Sequence, residues 1–428
     1  MSADVHRSIE ALWRIESGRL IAGLARVTGD VGAAEELAQD ALVVALEQWP
    51  RTGVPPNPAG WLMTTAKNRA VDLARRRRTY QRKIVAVGRD LESRQHDGES
   101  GIDDALDDHI GDDLLRLIFT ACHPILSMES RVALTLRCLG GLSTTQIARA
   151  FLIPEQTAAQ RIVRAKRTLL RNEVAFELPT RAEMDDRLAA VMEVVYLVFN
   201  EGYTATAGES WMRPELCEEA LRLARILAAL VPDRPEAHGF AALLEFQASR
   251  IPARTTPSGE PILLPDQDRR LWDRLLIRRG LDSLARAERL ASAPTRAGAP
   301  PAALGPYCLQ AAIAACHATA VRAEDTDWQR IAALYDVLRH VWSTPVVELN
   351  RAVAVARAYG PEKGLAIVDG LVADGALGGY AQLAAVRGDL LEQLERWNEA
   401  AAAFTQAAAE TRNGREREVF LDRAARLT

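Results

Sequence analysis

The stretch LSTTQIARAFLIPEQTAAQRIVRAKRTLL, residues 142–170, decides the fold of the region around it. Ser143 suits the N-cap of a helix in which Ile147 and Ala148 face inward. Residues 152–154 suit a turn, and a second helix is expected to begin at Pro154, because proline is tolerated in the first turn of a helix. The pattern predicts a helix-turn-helix.

The outer side of that second helix carries polar and basic side chains of the types that contact base edges and phosphates in a DNA major groove. They are Gln156, Thr157, Gln160, Arg161 and Arg164. Many amphipathic helix pairs imitate a helix-turn-helix, so the signal gains weight only from the rest of the chain.

Charge is distributed unevenly along the 428 residues, although the net charge is only −4. Asp72 is the only acid between Arg51 and Arg89, and Glu155 is the only acid from residue 131 to residue 171. The intervening residues 90–108 are rich in Asp and Glu. Two basic modules joined by an acidic connector indicate two contacts with one polyanion.

The first module precedes the connector and reads as three helices. The first helix ends near Gly29, and the second, residues 31–49, has an outer face of Glu35, Glu36, Gln39 and Asp40. After a Pro-Asn loop at residues 50–58, a third helix is expected from residue 59 to about residue 78. It is apolar through Trp61 and basic from Lys67 onward. We expect Trp61 to belong to the core, with stacking on a base as the alternative.

The composition predicts an all-α protein with several domains. Hydrophobic residues make up 48% of the chain and aromatic residues only 5%. We expect a first domain at residues 1–83, an acidic linker at 84–111, a helix-turn-helix domain at 112–175 and a helical extension at 176–428. No run of about 18 apolar residues and no signal-peptide core is present, so we expect a cytoplasmic protein without a membrane contact.

The end of the extension contains a weak internal repeat. Ala352, Val355, Gly364, Val368 and Leu371 recur 36 residues later as Gly388, Leu391, Ala400, Phe404 and Ala407. This offset is close to the 34-residue period of tetratricopeptide repeats, which stack helix pairs. A tetratricopeptide-like array is therefore predicted, and such arrays commonly bind peptides.

Neither a metal site nor a catalytic site is predicted. The five cysteines lack CxxC spacing, and Cys122-His123 and Cys316-His317 are adjacent pairs without partners at zinc-ligand spacing. We interpret these cysteines as buried thiols. No cofactor-binding motif, nucleophile–base pair or phosphate loop stands out, so we do not expect an enzyme.

Six stretches together resemble the extracytoplasmic-function sigma factors of bacteria, in the group with a C-terminal tetratricopeptide-like extension. Besides residues 142–170, they are GDVGAAEELAQDALVVALEQWP (29–50), NPAGWLMTTAKNRAVDLARRRR (57–78), YLVFNEGYTATAGE (196–209), GPYCLQAAIAACHA (305–318) and VVELNRAVAVARAYGP (346–361). The resemblance covers nearly the whole chain. It implies an alternative sigma factor that binds core RNA polymerase and directs promoter-specific transcription initiation.

The resemblance also assigns roles to residues. Glu35, Glu36, Gln39 and Asp40 would bind the clamp helices of the largest polymerase subunit. Lys67, Asn68, Arg69, Arg75 and Arg76 would contact the opened −10 element, and Thr157, Gln160, Arg161 and Arg164 would read the −35 element. Ala159 stands where many relatives have a basic residue, which leaves the −35 sequence open.

Three questions stay open at this level. The chain resembles a sigma factor, but a one-component transcription factor with a ligand-sensing tail would also use the helix-turn-helix. The polar cluster from Asn200 to Glu209 suits helix capping and buried backbone groups, and ligand binding is the alternative. The extension is expected to modulate activity, either through a peptide or protein regulator or through a built-in effect. Activation and inhibition are both compatible with the sequence.

Overall fold

The computed structural model describes residues 2–70, 110–204, 212–257, 259–293 and 304–427. In these ranges the chain is helical, with a single bridge between Thr255 and Pro261 and no β-strand. The all-α prediction is confirmed. The chain divides into two compact units, residues 1–194 and 195–428. In the described parts of the chain, no helix is both long enough and apolar enough to cross a membrane.

In its described residues, the first unit contains seven helices and the start of an eighth. They are α1 (Ser2–Thr28), α2 (Val31–Thr52), α3 (58–70 in the described part), α4 (Ile110–Ala121), α5 (Met128–Cys138), α6 (Thr144–Ala150), α7 (Glu155–Arg171) and α8 (Met184–Tyr203, which continues into the second unit). The boundary of α1 follows from Gly29, whose φ of 67° is a left-handed conformation that favours glycine. Asp30 then caps α2, because its side chain accepts a hydrogen bond from the Gly32 N–H.

The core of the first module lies between α1, α2 and α3. Leu24 and Leu37 are buried there, and α3 adds Leu62 and Ala66. Trp61 packs edge-on against Trp49 of α2, with 5.2 Å between ring centroids, in agreement with a packing role. Helix α2 runs three residues past the predicted end at residue 49, with Pro50 inside it, and ends at the left-handed Gly53.

The second unit is a succession of helices that pack on their neighbours in sequence. They are α9 (Pro214–Leu230), α10 (Pro235–Ser249), α11 (Arg274–Ser292), α12 (Pro306–Thr319), α13 (Trp328–Val341), α14 (Pro345–Tyr359), α15 (Pro361–Ala373), α16 (Ala381–Gln393), α17 (Trp397–Glu410) and α18 (Gly414–Arg426). Three 3₁₀ turns, Ile251–Ala253, Leu264–Asp266 and Arg269–Leu271, lie between α10 and α11. Consecutive pairing of helices is the architecture of helical arrays.

The 36-residue repeat corresponds to two helix pairs, α14 with α15 and α16 with α17. All ten repeat residues are buried. A Cβ atom added to Gly364 would lie 2.5 Å from the Cβ of Ala356, and one added to Gly388 would lie 2.8 Å from the Phe404 ring. Each helix pair therefore has a glycine where its two helices cross. Gly364 lies on α15, the second helix of the first pair, and Gly388 lies on α16, the first helix of the second pair. The larger repeat residues fill the core beside these crossings.

Candidate promoter-binding and polymerase-binding surfaces

The helix-turn-helix consists of α6 and α7. A reciprocal pair of hydrogen bonds caps the N-terminus of α6. The Ser143 hydroxyl accepts from the Gln146 N–H at 3.1 Å, and the Gln146 side chain accepts from the Ser143 N–H at 2.8 Å. This is a capping box, and the predicted N-cap is correct. Ile147 and Ala148 are buried as predicted.

The turn between the helices differs slightly from the prediction. Leu152 adopts a φ of 49°, and Pro154 has the extended conformation of an N-cap, so α7 begins at Glu155 and not at Pro154. The Thr145 hydroxyl donates to the Glu155 carboxylate at 2.8 Å, which joins α6 to the start of α7. The two helices are thus held in one orientation by caps, by the turn and by the buried face of α7.

One face of α7 is open along its length. A shallow depression runs over this face, lined by polar, basic and small side chains. They are Gln156, Ala159, Gln160, Val163, Arg164, Arg167, Thr168 and Arg171. Gln160 and Arg164, predicted from the sequence, lie near its centre and are exposed. Exposed Arg and Gln side chains on one face of a helix are the arrangement that reads a major groove.

Thr157 and Arg161 lie on the flank of this open face and are half-buried. Of the four predicted −35 contacts, two therefore lie in the middle of the open face of α7, Gln160 and Arg164, and two lie at its edge, Thr157 and Arg161. Arg167 and Arg171 extend the face toward the end of α7, as the spacing of four residues indicates. Val163, an apolar side chain 45% exposed at its centre, was not singled out from the sequence.

The basic end of α3 is only partly described. Asn68 is exposed, whereas Lys67 and Arg69 are half-buried. Arg69 lies 2.8 Å from the Asp40 carboxylate, so a predicted DNA contact pairs with a predicted polymerase contact. The Arg69 side chain is 41% exposed and the Asp40 side chain 55%, and an ion pair with this much solvent exposure contributes little to stability. Arg75 and Arg76 lie outside the described residues.

The outer face of α2 carries an acidic stripe. Glu36 and Asp40 are exposed on it, and Glu47 continues it seven residues after Asp40. Val43 lies between them and is 51% exposed. The sequence interpretation missed Glu47 and Val43, which the helical spacing from Asp40 would have identified.

Glu35 does not lie on that outer face, which corrects the expectation from the sequence. It is 4% exposed, and its carboxylate accepts hydrogen bonds from Arg137 Nε at 2.8 Å and from Lys166 Nζ at 2.5 Å. Gln39 is half-buried, and its amide also donates to Glu35. The physical reason is helical spacing, since Glu35 lies four residues after the buried Val31 and three before the buried Ala38.

In the second unit, the described members of the Asn200–Glu209 cluster contact neighbouring side chains. Arg254 lies 3.4 Å from the Tyr203 ring centroid and donates to the Thr204 hydroxyl at 3.0 Å. Arg250 Nε donates to the Tyr203 hydroxyl at 3.0 Å, and Glu201 pairs with Arg213. Asn200 is exposed, and Glu209 lies outside the described residues. These contacts join side chains to one another, whereas the sequence interpretation favoured helix capping and contacts to backbone groups for this cluster.

All five cysteines are free thiols and buried. Burial raises the pKa of Cys122 to about 11 and that of Cys138 to about 12, so neither is a thiolate at neutral pH. Burial also lowers the pKa of His317 to about 4, and the nearby Arg250 and Arg269 add to this effect. Within the described ranges, no group of three or more His, Cys, Asp or Glu side chains has the arrangement of a metal site.

The fold and these surfaces define a DNA-binding protein of the helix-turn-helix class. Three family models match the chain: Sigma-70 region 2 at residues 12–80, Sigma-70, region 4 at residues 116–169, and a family of unknown function, DUF6596, at residues 187–288. An uncharacterized protein of Rhizobium meliloti (strain 1021) is 44% identical over 394 residues, which cover 92% of this chain and 89% of that protein. No solved structure matches the chain.

The chain belongs to the sigma-70 family, with region 2 and region 4 arranged as in extracytoplasmic-function sigma factors and followed by a C-terminal extension. It is a sigma factor for promoter-specific transcription initiation, and its sigma-70 domains interact with core RNA polymerase and promoter DNA. The DUF6596 match begins at residue 187, within α8.

Proposed function

We propose that the chain is an alternative sigma factor of the extracytoplasmic-function type in which each module has a separate contact. The acidic stripe of α2 binds the clamp helices of the largest polymerase subunit. The basic part of α3, with Lys67, Asn68 and Arg69, contacts the opened −10 element. The open face of α7 reads the −35 element as duplex.

The observation that carries this proposal is the open face of α7 on a capped helix-turn-helix. Gln160 and Arg164 point outward from a helix whose opposite face is anchored by Ala158, Ile162 and Ala165. An Arg side chain can form two hydrogen bonds with guanine, and a Gln side chain can form two with adenine. Each such contact discriminates against the wrong base by about 1–3 kcal/mol. A rigid helix with these side chains supports sequence-specific reading.

The acidic stripe supports polymerase binding by complementarity. Glu36, Asp40 and Glu47 place three carboxylates on one side of α2, with exposed Val43 among them. Such a surface suits a basic helical partner with apolar side chains, because charge steers the encounter and the apolar centre adds affinity. Arg75 and Arg76 remain predicted −10 contacts on sequence grounds.

The helical extension modulates this activity, and its array of helix pairs binds a peptide or protein regulator. The support is architectural: consecutive helix pairs with buried small residues at their crossings form the surfaces that helical repeat proteins use for peptides. Substitutions in the extension are therefore expected to change the amount of transcription without changing which promoter is chosen.

Polymerase binding tests the assignment of α2. The double substitution Glu36→Lys and Asp40→Lys should weaken binding of the full chain to core polymerase at least tenfold, measured by fluorescence anisotropy. Glu10→Lys combined with Asp112→Lys, the same charge change at exposed positions of α1 and α4, is the matched control and should change binding less than twofold. Equal losses in both proteins would contradict a specific role for the acidic stripe.

A further inference from the structure

Two arginines of the second unit lie beside one buried tryptophan, Trp272, in the segment between α10 and α11. The guanidinium carbon of Arg269 is 4.8 Å from the Trp272 ring centroid, and that of Arg250 is 5.9 Å from it. Arg269 is 7% exposed and Arg250 is half-buried. Burial lowers the pKa of Arg269, and the charge of Arg250 lowers it further, against a smaller opposite effect of Asp325 and Glu324. Positive charge is thus concentrated where little water reaches it.

The hydrogen bonds of both arginines go to neutral acceptors. Arg250 donates to the Tyr203 hydroxyl at 3.0 Å and to the Gln247 side-chain oxygen at 2.8 Å. Arg269 donates to two backbone carbonyl oxygens and to a threonine hydroxyl. Within the described ranges, neither arginine has a carboxylate partner. A charge that is buried without an opposite charge is costly, so this arrangement calls for an anion.

The acids nearest in sequence are engaged elsewhere. The Asp268 carboxylate accepts from Arg270 Nη2 at 2.7 Å, and this pair lies on the surface. The Asp273 carboxylate accepts from the Leu275 N–H at 2.8 Å and caps the start of α11. Neither acid is therefore available to neutralise the two arginines beside Trp272.

Four buried polar atoms in the same region have no hydrogen-bond partner in the described parts of the chain. They are Gln267 Oε1, Arg269 Nε, Trp272 Nε1 and His317 Nδ1. Each of these residues is at least nine-tenths buried. Native proteins satisfy nearly all buried polar atoms, and an unsatisfied group indicates a ligand, an ion or an ordered water. Because the nitrogens of Arg269 and Trp272 are donors, the missing partner at these two positions is an acceptor.

We propose that Arg250, Arg269 and Trp272 form a binding site for an oxyanion, the phosphate or carboxylate group of a small molecule. Both groups accept charge-assisted hydrogen bonds from guanidinium N–H groups. Arg269 Nε and the Trp272 indole nitrogen donate to the oxyanion. Arg250 and Tyr203, which are half-buried, form the accessible side of the site.

This site is separate from the peptide-binding role proposed for the helix pairs of the extension, because it lies before α12 and those pairs begin at α14. It also does not depend on the proposed sigma function, since oxyanion binding requires neither polymerase nor DNA. The site includes Tyr203, a member of the Asn200–Glu209 cluster, and so gives the ligand-binding alternative for that cluster a defined chemistry.

Calorimetric titration of the full chain with inorganic phosphate, and separately with acetate, measures binding. Sodium chloride holds the ionic strength constant, so general screening is the same in both titrations. At least one probe should bind, and Arg250→Gln should weaken that binding at least tenfold. Arg278→Gln, the same loss of charge at an exposed position of α11, is the matched control and should change binding less than twofold. Tighter binding of phosphate assigns a phosphorylated ligand, and tighter binding of acetate assigns a carboxylate.

The indole N–H of Trp272 provides a second readout in the unaltered chain. Its nuclear magnetic resonance signal, identified by its absence from Trp272→Phe, should move downfield with the probe that binds, because the N–H gains a charged acceptor. The indole signal of Trp397, a residue 47% exposed on α17, should not move. If circular dichroism shows that Arg250→Gln is unfolded, the Trp272 signal decides.

Three results would overturn the proposed site. They are no binding of either probe, equal binding by the unaltered chain and a folded Arg250→Gln, and a Trp272 signal that neither probe moves. Binding that appears only after Glu209→Gln would also contradict it, because the chain's own carboxylate would then be the anion. None of these results bears on promoter-specific transcription, so failure of the oxyanion site and failure of the sigma function are distinguishable.

Discussion

The sigma modules and the helical extension hold their helices together by different means. Between the modules, contact depends on Glu35 and Asp113, buried carboxylates paired with cations of the opposite module. In the extension, α16 and α17 meet through Gly388 and the fully buried Phe404. Ion pairs can be exchanged for other partners, whereas close apolar packing has no equivalent partner in water. The two units therefore differ in the chemistry that holds their helices, with buried ion pairs in the first unit and close apolar packing in the second.

Removal of the Phe404 side chain should have the largest effect on stability. Phe404→Ala leaves a cavity beneath Gly388 and should lower the free energy of unfolding of α16 and α17 by about 3–5 kcal/mol. Native-state hydrogen exchange in peptides of these helices measures it. Trp397→Ala, at a side chain 47% exposed on the same helix, should cost less than about 1 kcal/mol. Similar losses of unfolding free energy in both variants would contradict the interpretation that close apolar packing at Phe404 holds α16 and α17 together.

Asp113 tests the other half of the comparison. Asp113→Asn leaves Arg26 and Arg116 without the buried carboxylate and should destabilise α4 by about 3 kcal/mol. Hydrogen exchange in peptides covering residues 110–121 reports the change. Asp112→Asn, a neutralised acid at an exposed position in the same helical turn, serves as the control and should change exchange little. An effect of the same size at Asp112 would mean that helix-dipole charge, and not pairing, stabilises α4.

Arg164 tests whether the open face of α7 selects promoters. Arg164→Ala should reduce discrimination between a preferred promoter and one altered in the −35 element by about 1–3 kcal/mol, or roughly 5- to 150-fold. Competitive transcription from the two promoters by the variant and by an Arg14→Ala control gives the ratio. Arg14 is exposed on α1, outside the helix-turn-helix. A uniform loss on both promoters would assign Arg164 to phosphate contact.

The capping box should have the smallest of these effects. Ser143→Ala removes the hydroxyl that accepts from the Gln146 N–H, and should destabilise α6 by about 1 kcal/mol. Exchange rates of the α6 amides measure this local loss. Thr144→Ala, one residue later, retains the cap and should alter the rates less. If the two variants behave alike, helix propensity and not the cap sets the stability of α6.

Local signals in the sequence identified much of the first unit. Ser143 identified the start of α6, and Gly29 identified the break between α1 and α2, because caps and left-handed glycines act within a few residues. The 36-residue offset found residues that are all buried in α14–α17, since a repeated helix pair repeats its packing positions. These successes share one cause, which is that the deciding interactions are close in sequence.

The position of Glu35 could be predicted only in part. Its spacing from Val31 and Ala38 places it on the buried side of α2, and this signal was available. Its partners Arg137 and Lys166 are 102 and 131 residues away, and no pattern in one sequence connects such distant positions. The same limit applies to Arg161, whose place on the flank of the reading face depends on how α7 packs against its own module.

Transcription in a purified system tests the central claim most directly. The full chain, mixed with core RNA polymerase and a library of promoter fragments, should yield run-off transcripts that begin at defined sites. Those transcripts should share one −35 and one −10 sequence, and none should form with core polymerase alone. No binding to core polymerase and no transcripts, together with tight binding of the chain alone to duplex DNA, would contradict the account. That result would identify a conventional repressor or activator instead.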